Sequence, residues 1–258
     1  MHANLELTRL CNQSCVYCFN DSGPARVNAS IGVNWTGVID TLSRHGFRSV
    51  HFTGGEPFLV RGLLDLMRAA LDRKLKISVL SNGYGVPRLL EDPSKRSVFA
   101  QLQVAQISLD SMDSTVHDRR RGKAGARAHA VSAIQALRKS HVPIEISCVV
   151  DEENEEDIEA LAIFAQDQGA NLILRPRVSA GRAADMPGYI VSRKLRTVVS
   201  QFRHLLTDDR FHYVPPGRKL YRSMRDVVTL KANGEITGDL SIFPSKARFN
   251  RDGRLATA

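Results

Sequence analysis

The fold of this 258-residue chain is indicated first by residues 49–57, SVHFTGGEP. Ser49–Thr53 combines β-branched and aromatic residues, which predicts a short strand, and it leads directly into Gly54-Gly55-Glu56-Pro57. We predict a helix before this strand at Trp35–Leu42 and another after its loop at Leu63–Leu71, where the apolar residues have helical periodicity. The stretch therefore predicts one strand, one loop and flanking helices.

The same alternation extends in both directions. The predicted strands are Leu5–Leu10, Ser49–Thr53, Lys76–Leu80, Val104–Leu109, Ile144–Val150 and Asn171–Leu174. The further predicted helices are Arg88–Leu102, broken by Pro93, then Ala128–Lys139 and Glu155–Gln168. Six strand–helix units in series imply a parallel sheet with right-handed crossovers, and eight would close a TIM barrel. The sequence therefore predicts an α/β fold, a partial (β/α)6 TIM-like barrel with a short C-terminal α+β extension.

Polar motifs follow the predicted strands at the points where the strands end. They are the cysteine-bearing loop, Gly-Gly-Glu, Ser81-Asn82-Gly83, Ser108-Leu109-Asp110 and Arg175-Pro176-Arg177. Active sites of such barrels lie at the carboxyl ends of the strands. The motifs are thus predicted to share one rim of the barrel.

The pattern changes after Pro187, which suggests a barrel over residues 1–185 and an extension over residues 186–258. We predict a helix at Ser192–Leu206 and a hairpin at Arg225–Ile242, with its turn at residues 232–235. The polar tail from Lys246 is predicted to be frayed.

Charge and composition restrict the function only weakly. The formal net charge is +9 and the pI about 9.7, which suits an acidic peptide or an anionic cofactor, but no nucleic-acid module is recognised. The N-terminus lacks the features of a signal peptide, and no apolar stretch is long enough for a membrane span. We predict a cytoplasmic protein without nucleic-acid or membrane partners, whose cysteines are reduced.

Three of the four cysteines form a C-x3-C-x2-C run, Cys11, Cys15 and Cys18. Structural zinc sites usually take four ligands in two separated pairs, and no histidine lies in this run. A chance grouping is the other alternative. Three thiolates on a short loop suit an iron–sulfur cluster and would leave the fourth iron of a [4Fe–4S] cube open to another ligand.

This chain resembles the radical SAM superfamily over about residues 3–182. The hallmark is the cysteine run with an aromatic residue, here Tyr17, before its last cysteine, and the second signature is Gly54-Gly55-Glu56-Pro57. The resemblance implies one [4Fe–4S] cluster held by Cys11, Cys15 and Cys18. It also implies that S-adenosylmethionine (SAM) is cleaved reductively to a 5′-deoxyadenosyl radical, which abstracts a hydrogen atom from the substrate.

The resemblance also implies a set of SAM-binding positions: Gly54, Gly55, Glu56, Ser81, Asn82, Ser108, Asp110, Arg121 and Arg175. Glu56 or neighbouring carbonyls would accept from the SAM ammonium, and Arg121 would pair with the SAM carboxylate. Arg177 competes with Arg175 for the position after the sixth strand. No residue is assigned as the group that reacts with the substrate, and a one-electron reductant such as flavodoxin or ferredoxin is implied.

Simpler interpretations exist for several of these residues. Gly54-Gly55 and Ser81-Asn82 also fit plain turns. Cys148 lies in a β-branched strand and fits a small buried apolar residue better than a radical relay.

The branch that this chain most resembles modifies peptides and proteins, and it includes the SPASM and twitch types with cysteine-rich C-terminal extensions. No cysteine follows Cys148, so a single cluster is predicted. The predicted function is modification of a ribosomally made peptide in natural-product biosynthesis. The alternatives are tailoring of a sugar, nucleoside or amino acid, and activation of a glycyl-radical partner.

Overall fold

A computed structural model describes residues 1–26, 33–206, 227–233, 235–238, 247–249 and 252–257. Within these residues the strands are β1 (His2–Glu6), β2 (Ser49–Thr53), β3 (Lys76–Ser81), β4 (Leu102–Ser108), β5 (Ile144–Val150), β6 (Asn171–Pro176), β7 (Val227–Leu230), β8 (Ile236–Gly238), β9 (Ala247–Phe249) and β10 (Leu255–Thr257). The helices are α1 (Trp35–Arg44), α2 (Leu63–Asp72), α3 (Val86–Glu91), α4 (Pro93–Phe99), α5 (Ser114–Arg121), α6 (Ala126–Lys139), α7 (Ile158–Gln168) and α8 (Arg193–Gln201).

The main sheet has the strand order β6-β5-β4-β3-β2-β1-β7-β8. Strands β1 to β6 pair in parallel in chain order, β7 adds in parallel to the free side of β1, and β8 is antiparallel to β7. Among the described residues β6 and β8 are the two edges, so the sheet is open. The predicted α/β fold with a partly closed parallel sheet is confirmed.

The helix boundaries follow from local capping chemistry. Asn34 accepts a hydrogen bond from Gly37 N at 2.9 Å and begins α1, as predicted. Asp92 caps α4, with Pro93 at its first position, so the predicted break at Pro93 is confirmed. Gly169 ends α7 in the left-handed conformation, with φ of 65°.

The first strand differs from its predicted bounds, because β1 ends at Glu6 rather than Leu10. Thr8 turns the chain there: its hydroxyl accepts a hydrogen bond from Leu10 N at 3.0 Å. Side-chain to backbone bonds of this kind compete with strand pairing. The cysteine loop therefore starts earlier than the apolar pattern suggests.

The two faces of the sheet differ in polarity because successive side chains point to opposite sides. One face is apolar and packs in the hydrophobic core, with Leu5, Phe52 and Ile107 buried. The other face carries hydrogen-bonded polar pairs that join neighbouring strands. These pairs are Asn4 with Thr229 (3.3 Å), His51 with Ser78 (2.8 Å), Gln106 with Glu145 (2.7 Å) and Arg175 with Ser147 (2.7 Å).

The C-terminal segments follow the prediction in part. α8 lies within the predicted helix, and β7 with β8 forms the predicted hairpin, although residues 225–226, 234 and 239–242 lie outside the described residues. The tail was predicted to be frayed. Its described part instead forms an antiparallel pair, β9 with β10, and the carbonyl of Gly253 accepts from the buried Thr41 hydroxyl at 3.0 Å. No helix in the described part of the chain is long and apolar enough to cross a membrane.

Candidate cofactor site at the carboxyl ends of the strands

The cysteine loop lies between β1 and α1 and is closed at its base by backbone pairing. Cys11 N donates to the carbonyl of Gly23 at 3.2 Å, and Gly23 N donates to the carbonyl of Arg9 at 3.1 Å. The residues from 11 to 22 belong to no helix or strand. Their conformation therefore depends on contacts with other parts of the protein.

Each cysteine sulfur in the loop accepts an N–H hydrogen bond. The donors are Gln13 N to Cys11 Sγ at 3.4 Å, Arg121 Nη1 to Cys15 Sγ at 3.9 Å and Ser22 N to Cys18 Sγ at 3.2 Å. Asn82 Nδ2 is a second donor to Cys11 Sγ, at 3.8 Å. Such donors stabilise thiolates and are found around cluster ligands. The donor set thus fits three thiolate ligands.

Burial changes the pKa of two of these thiols, those of Cys11 and Cys15. Burial raises the pKa of Cys11 to about 12, and the negative charges of Glu56, Cys15 and Cys18 add to the effect. Burial likewise raises the pKa of Cys15, against the lowering effect of Arg121. Buried thiolates need compensating positive charge, which iron would supply. Within the described residues no group of three His, Cys, Asp or Glu side chains is placed for a single metal ion.

Gly54 and Gly55 contact the cysteine loop directly. Gly55 N donates to the carbonyl of Thr8, and Glu56 N donates to the carbonyl of Leu10 at 2.9 Å. A Cβ at Gly55 would overlap the Leu10 carbonyl, and Gly54 has φ of 129°. These glycines allow the loop after β2 to approach the backbone of the cysteine loop. In this structure they lie close to protein backbone, and their contact with SAM stays a prediction.

Glu56 joins the loop after β2 to the loop after β3. Its carboxylate accepts hydrogen bonds from Ser81 Oγ at 2.8 Å, Asn82 N at 2.8 Å and Phe58 N at 3.2 Å. Burial raises the pKa of Glu56 to about 7, while these donors lower it. Asn82 in turn donates to Asn12 Oδ1 at 2.7 Å. The structure therefore brings Glu56, Ser81 and Asn82 together beside the cysteine loop.

Asp110, at the end of β4, is the centre of a buried charged network. Its carboxylate accepts from Arg121 Nη2 at 2.9 Å, from Val149 N at 3.0 Å and from the Tyr17 hydroxyl. Burial opposes ionisation of Asp110, but Arg121, with His117 and Arg120, holds its pKa below the ordinary value. Arg121 therefore bridges Asp110 and Cys15, and its Nε has no hydrogen-bond partner.

Helix α5 holds the cysteine loop, and this helix was not among those predicted from the sequence. Ser14 N donates to the carbonyl of Arg121 at 3.0 Å, and Val16 N donates to the carbonyl of Arg120 at 3.0 Å. A Cβ at Gly122, where φ is 59°, would lie 2.7 Å from the Ser14 carbonyl oxygen. The carboxyl end of α5 thus fixes the backbone on both sides of Cys15.

The remaining predicted positions are Ser108 and Arg175, with Arg177 as the competitor of Arg175. Ser108 is half-buried at the end of β4 and pairs in register with Ser147, the hydrogen-bond partner of Arg175. Arg177 is instead buried in ion pairs with Asp151 (3.1 Å) and Glu152 (2.9 Å). Of the two competing arginines, Arg175 lies on the polar face of the sheet, whereas Arg177 is bound to acidic side chains.

Cys148 is fully buried in β5. Its sulfur lies 3.6 Å from the carbonyl oxygen of Asp110 and accepts from Asn154 Nδ2 at 3.5 Å. Burial raises its pKa well above the usual value, and the charge of Asp110 adds to this. The surroundings are those of a neutral, buried thiol.

The chain is similar to known proteins in sequence and in fold. Residues 5–165 match the family model described as Radical SAM superfamily. The chain is 29% identical over 182 residues to the sporulation killing factor maturation protein SkfB of Bacillus subtilis (strain 168), covering 70% of this chain and 43% of SkfB. It is 28% identical over 216 residues to the mycofactocin maturase MftC of Mycolicibacterium smegmatis, covering 81% of this chain and 54% of MftC. The chain thus spans about half the length of these relatives.

The crystal structure of Streptococcus suis SuiB bound to precursor peptide SuiA superimposes with a TM-score of 0.73. The match covers 98% of this chain and 62% of that chain, at 15% sequence identity. At this identity the likeness shows a shared fold.

Proposed function

The chain belongs to the radical SAM superfamily, and from this premise we propose that it is an enzyme that holds one [4Fe–4S] cluster through Cys11, Cys15 and Cys18. The observation that carries the proposal is the hydrogen bonding of the three sulfurs, each of which accepts from an N–H group. When bound, the cluster and SAM would supply a 5′-deoxyadenosyl radical for hydrogen abstraction. The protein contributes binding, orientation and exclusion of water.

The predicted SAM-binding residues fall into two groups, those that position other residues and those that contact SAM, and the bonds that each side chain makes decide its group. Asp110 binds Arg121, and Glu56 binds the loop after β3, so we assign these two carboxylates to positioning Arg121 and Asn82. Asn82 lies between Glu56 and Cys11 and is proposed to contact SAM directly, with Ser108 and Ser81 on the same rim.

The SAM carboxylate needs a cationic partner, and two arginines compete for it. Arg121 lies beside Cys15, and its Nε has no hydrogen-bond partner, while Arg175 lies on the polar face of the sheet. A guanidinium suits a carboxylate because it donates two parallel hydrogen bonds. Equilibrium dialysis with Arg121→Lys and Arg175→Lys variants separates the two: the variant with weakened SAM affinity at normal iron content identifies the partner.

The cluster is tested by anaerobic reconstitution, followed by dithionite and SAM. We expect about four irons per chain and formation of 5′-deoxyadenosine. Cys15→Ala should lose the iron and the formation of 5′-deoxyadenosine. Cys148→Ala, which changes the cysteine outside the loop, should keep the iron and the activity. A Cys15→Ala variant with a normal cubane signal and SAM cleavage would overturn the assignment, and a count near eight would reveal ligands outside the three cysteines.

We propose a ribosomally made peptide as the substrate. The support is that SkfB and MftC are named as a maturation protein and a maturase, and that the SuiB structure contains a precursor peptide. The net charge of +9 suits an acidic peptide and an acidic one-electron reductant such as a flavodoxin or ferredoxin.

The test uses short peptides encoded beside the gene. A peptide that changes mass in a SAM-dependent reaction and stimulates 5′-deoxyadenosine formation supports the proposal. Stimulation by sugars, nucleosides or amino acids, with no response to any such peptide, would replace it with small-molecule tailoring.

A further inference from the structure

A short segment after β6 also contacts the cysteine loop. This segment, Gly181–Ala183, is one turn of 3-10 helix, and we call it the strap. Arg182 N donates to the carbonyl of Cys18 at 2.9 Å. The strap therefore links the segment after β6, the last strand of the barrel, to the loop after β1, its first strand.

The guanidinium of Arg182 extends this contact over eight residues of the loop. Nη1 donates to the carbonyl of Cys15, and Nη2 donates to the carbonyl of Ser22 at 2.7 Å and to Asp21 Oδ1 at 3.2 Å. With the backbone bond to Cys18, one residue thus binds the loop at four places. The guanidinium has five donors in a rigid planar fork and can reach carbonyls that lie apart, whereas the three donors of an ammonium all lie on one nitrogen.

Gly181 is required for this approach. Its φ is 60°, a conformation that favours glycine, and a Cβ there would overlap the carbonyl oxygens of Cys18 and Phe19. Ala183 is fully buried and anchors the other end of the strap. Gly181 therefore packs against the loop backbone, and the residue on the other side of Arg182 is buried.

These contacts matter because the loop has little structure of its own. Two bonds within it, Cys18 N to Cys15 O at 3.2 Å and Asp21 N to Cys18 O at 3.1 Å, are short-range turns. The strap binds the same two carbonyls, those of Cys15 and Cys18. Removing it would release the two turns that set the spacing of the last two cysteines.

We propose that the strap holds the cysteine loop in its cluster-binding conformation without help from the cluster, and that Arg182 is the positioning residue. The proposal rests on the assignment of the three cysteines as cluster ligands. Its consequence is that cluster insertion needs the far end of the barrel to be folded, because residue 182 follows the sixth strand.

The first experiment is hydrogen exchange on the cluster-free chain. Arg182→Ala should raise exchange at Cys18 and Asp21 by about tenfold or more, since the substitution removes the bonds that a charged donor makes to the loop. Arg182→Lys should recover part of the protection because it can still donate to one carbonyl. The matched control is Arg138→Ala, an exposed arginine at the end of α6, which should leave this exchange unchanged.

The second experiment follows cluster loss from the reconstituted variants in the presence of an iron chelator. We expect the order Arg182→Ala fastest, Arg182→Lys intermediate, and wild type with Arg138→Ala slowest. Exchange and loss rates for Arg182→Ala equal to those of Arg138→Ala would overturn the proposal, as would a lysine variant no better than alanine. If the wild-type chain binds no iron, the cluster assignment fails, while the exchange result still decides whether the strap orders the loop.

Discussion

The hydroxyl of Tyr17 donates a hydrogen bond to the carboxylate of Asp110, and both side chains are buried. The bond joins the cysteine loop to the end of β4. The Tyr17 ring also lies against two guanidinium groups, with Arg120 Cζ 4.9 Å and Arg121 Cζ 5.5 Å from its centroid. The aromatic residue of the cysteine motif is therefore part of a buried charged network.

Tyr17→Phe removes this hydrogen bond and keeps the ring. We expect a loss of about 1–3 kcal/mol in the free energy of unfolding, because Asp110 loses one donor to a buried charge. Urea denaturation of the cluster-free chain measures it. Tyr84→Phe, at a ring that is 44% exposed, is the control and should change little. Equal effects of the two substitutions would contradict the role given to the hydroxyl.

Gly55→Ala should disrupt the cysteine loop, because the added Cβ overlaps the carbonyl of Leu10. We expect poor iron incorporation and a lowered melting temperature. Gly188→Ala is the matched control, since nothing lies within 4 Å of the Cβ that it adds. Normal iron content in Gly55→Ala would show that the loop after β2 can move away without consequence.

Glu56→Gln tests the buried carboxyl through its pH dependence. Burial raises the pKa of Glu56 from 4.5 to about 7, so the folded state favours the protonated form. The stability that this preference contributes is fully present below pH 4.5 and is lost as the pH rises through about 7. We therefore expect the stability difference between wild type and Glu56→Gln to fall by about 1–3 kcal/mol across this window. Denaturation at several pH values measures it, and a constant difference would be inconsistent with the raised pKa.

His117 is predicted to stay neutral in mildly acidic solution. Its Nδ1 accepts from Asp110 N at 3.1 Å, which assigns the hydrogen to Nε2. Burial, with the charge of Arg121, lowers the pKa of His117 to about 4. Stability from this residue is present above about pH 6.5 and is lost as the pH falls toward 4.

NMR titration of the histidine rings measures the pKa of His117, with His117→Gln for assignment. We expect a midpoint well below that of a free histidine and an Nε2–H tautomer at neutral pH. A midpoint near 6.5 would mean that the site opens to water more readily than the structure indicates.

Much of this architecture is readable from the sequence, for physical reasons. Strands such as Ser49–Thr53 and Ile144–Val150 have the predicted bounds because β-branched runs end at glycine or acidic residues. Helix α5 was missed because its sequence, STVHDRRR, lacks an apolar stripe. Its end signals were nevertheless present, since Asp113 caps its start and Gly122 ends it.

The partners of the site residues could not be read in the same way. Residue type alone does not distinguish Arg121, bound to Asp110, from Arg120, bound to Asp151 and to the carbonyl of Val149 at 3.0 Å. The sequence did not indicate that Arg182 contacts the cysteine loop, because a polar residue in a loop is usually solvated. These roles depend on which strand ends meet in space.

The parallel pairing of β7 with β1 bears on how a shorter form of this protein would behave. A chain cut after Leu206 would keep every residue assigned to the cofactors. It would also leave β1 as a bare edge, with backbone N–H and C=O groups open to pairing with other molecules. Such a fragment would be prone to self-association, and its failure to yield soluble material would say nothing about the chemistry of the site.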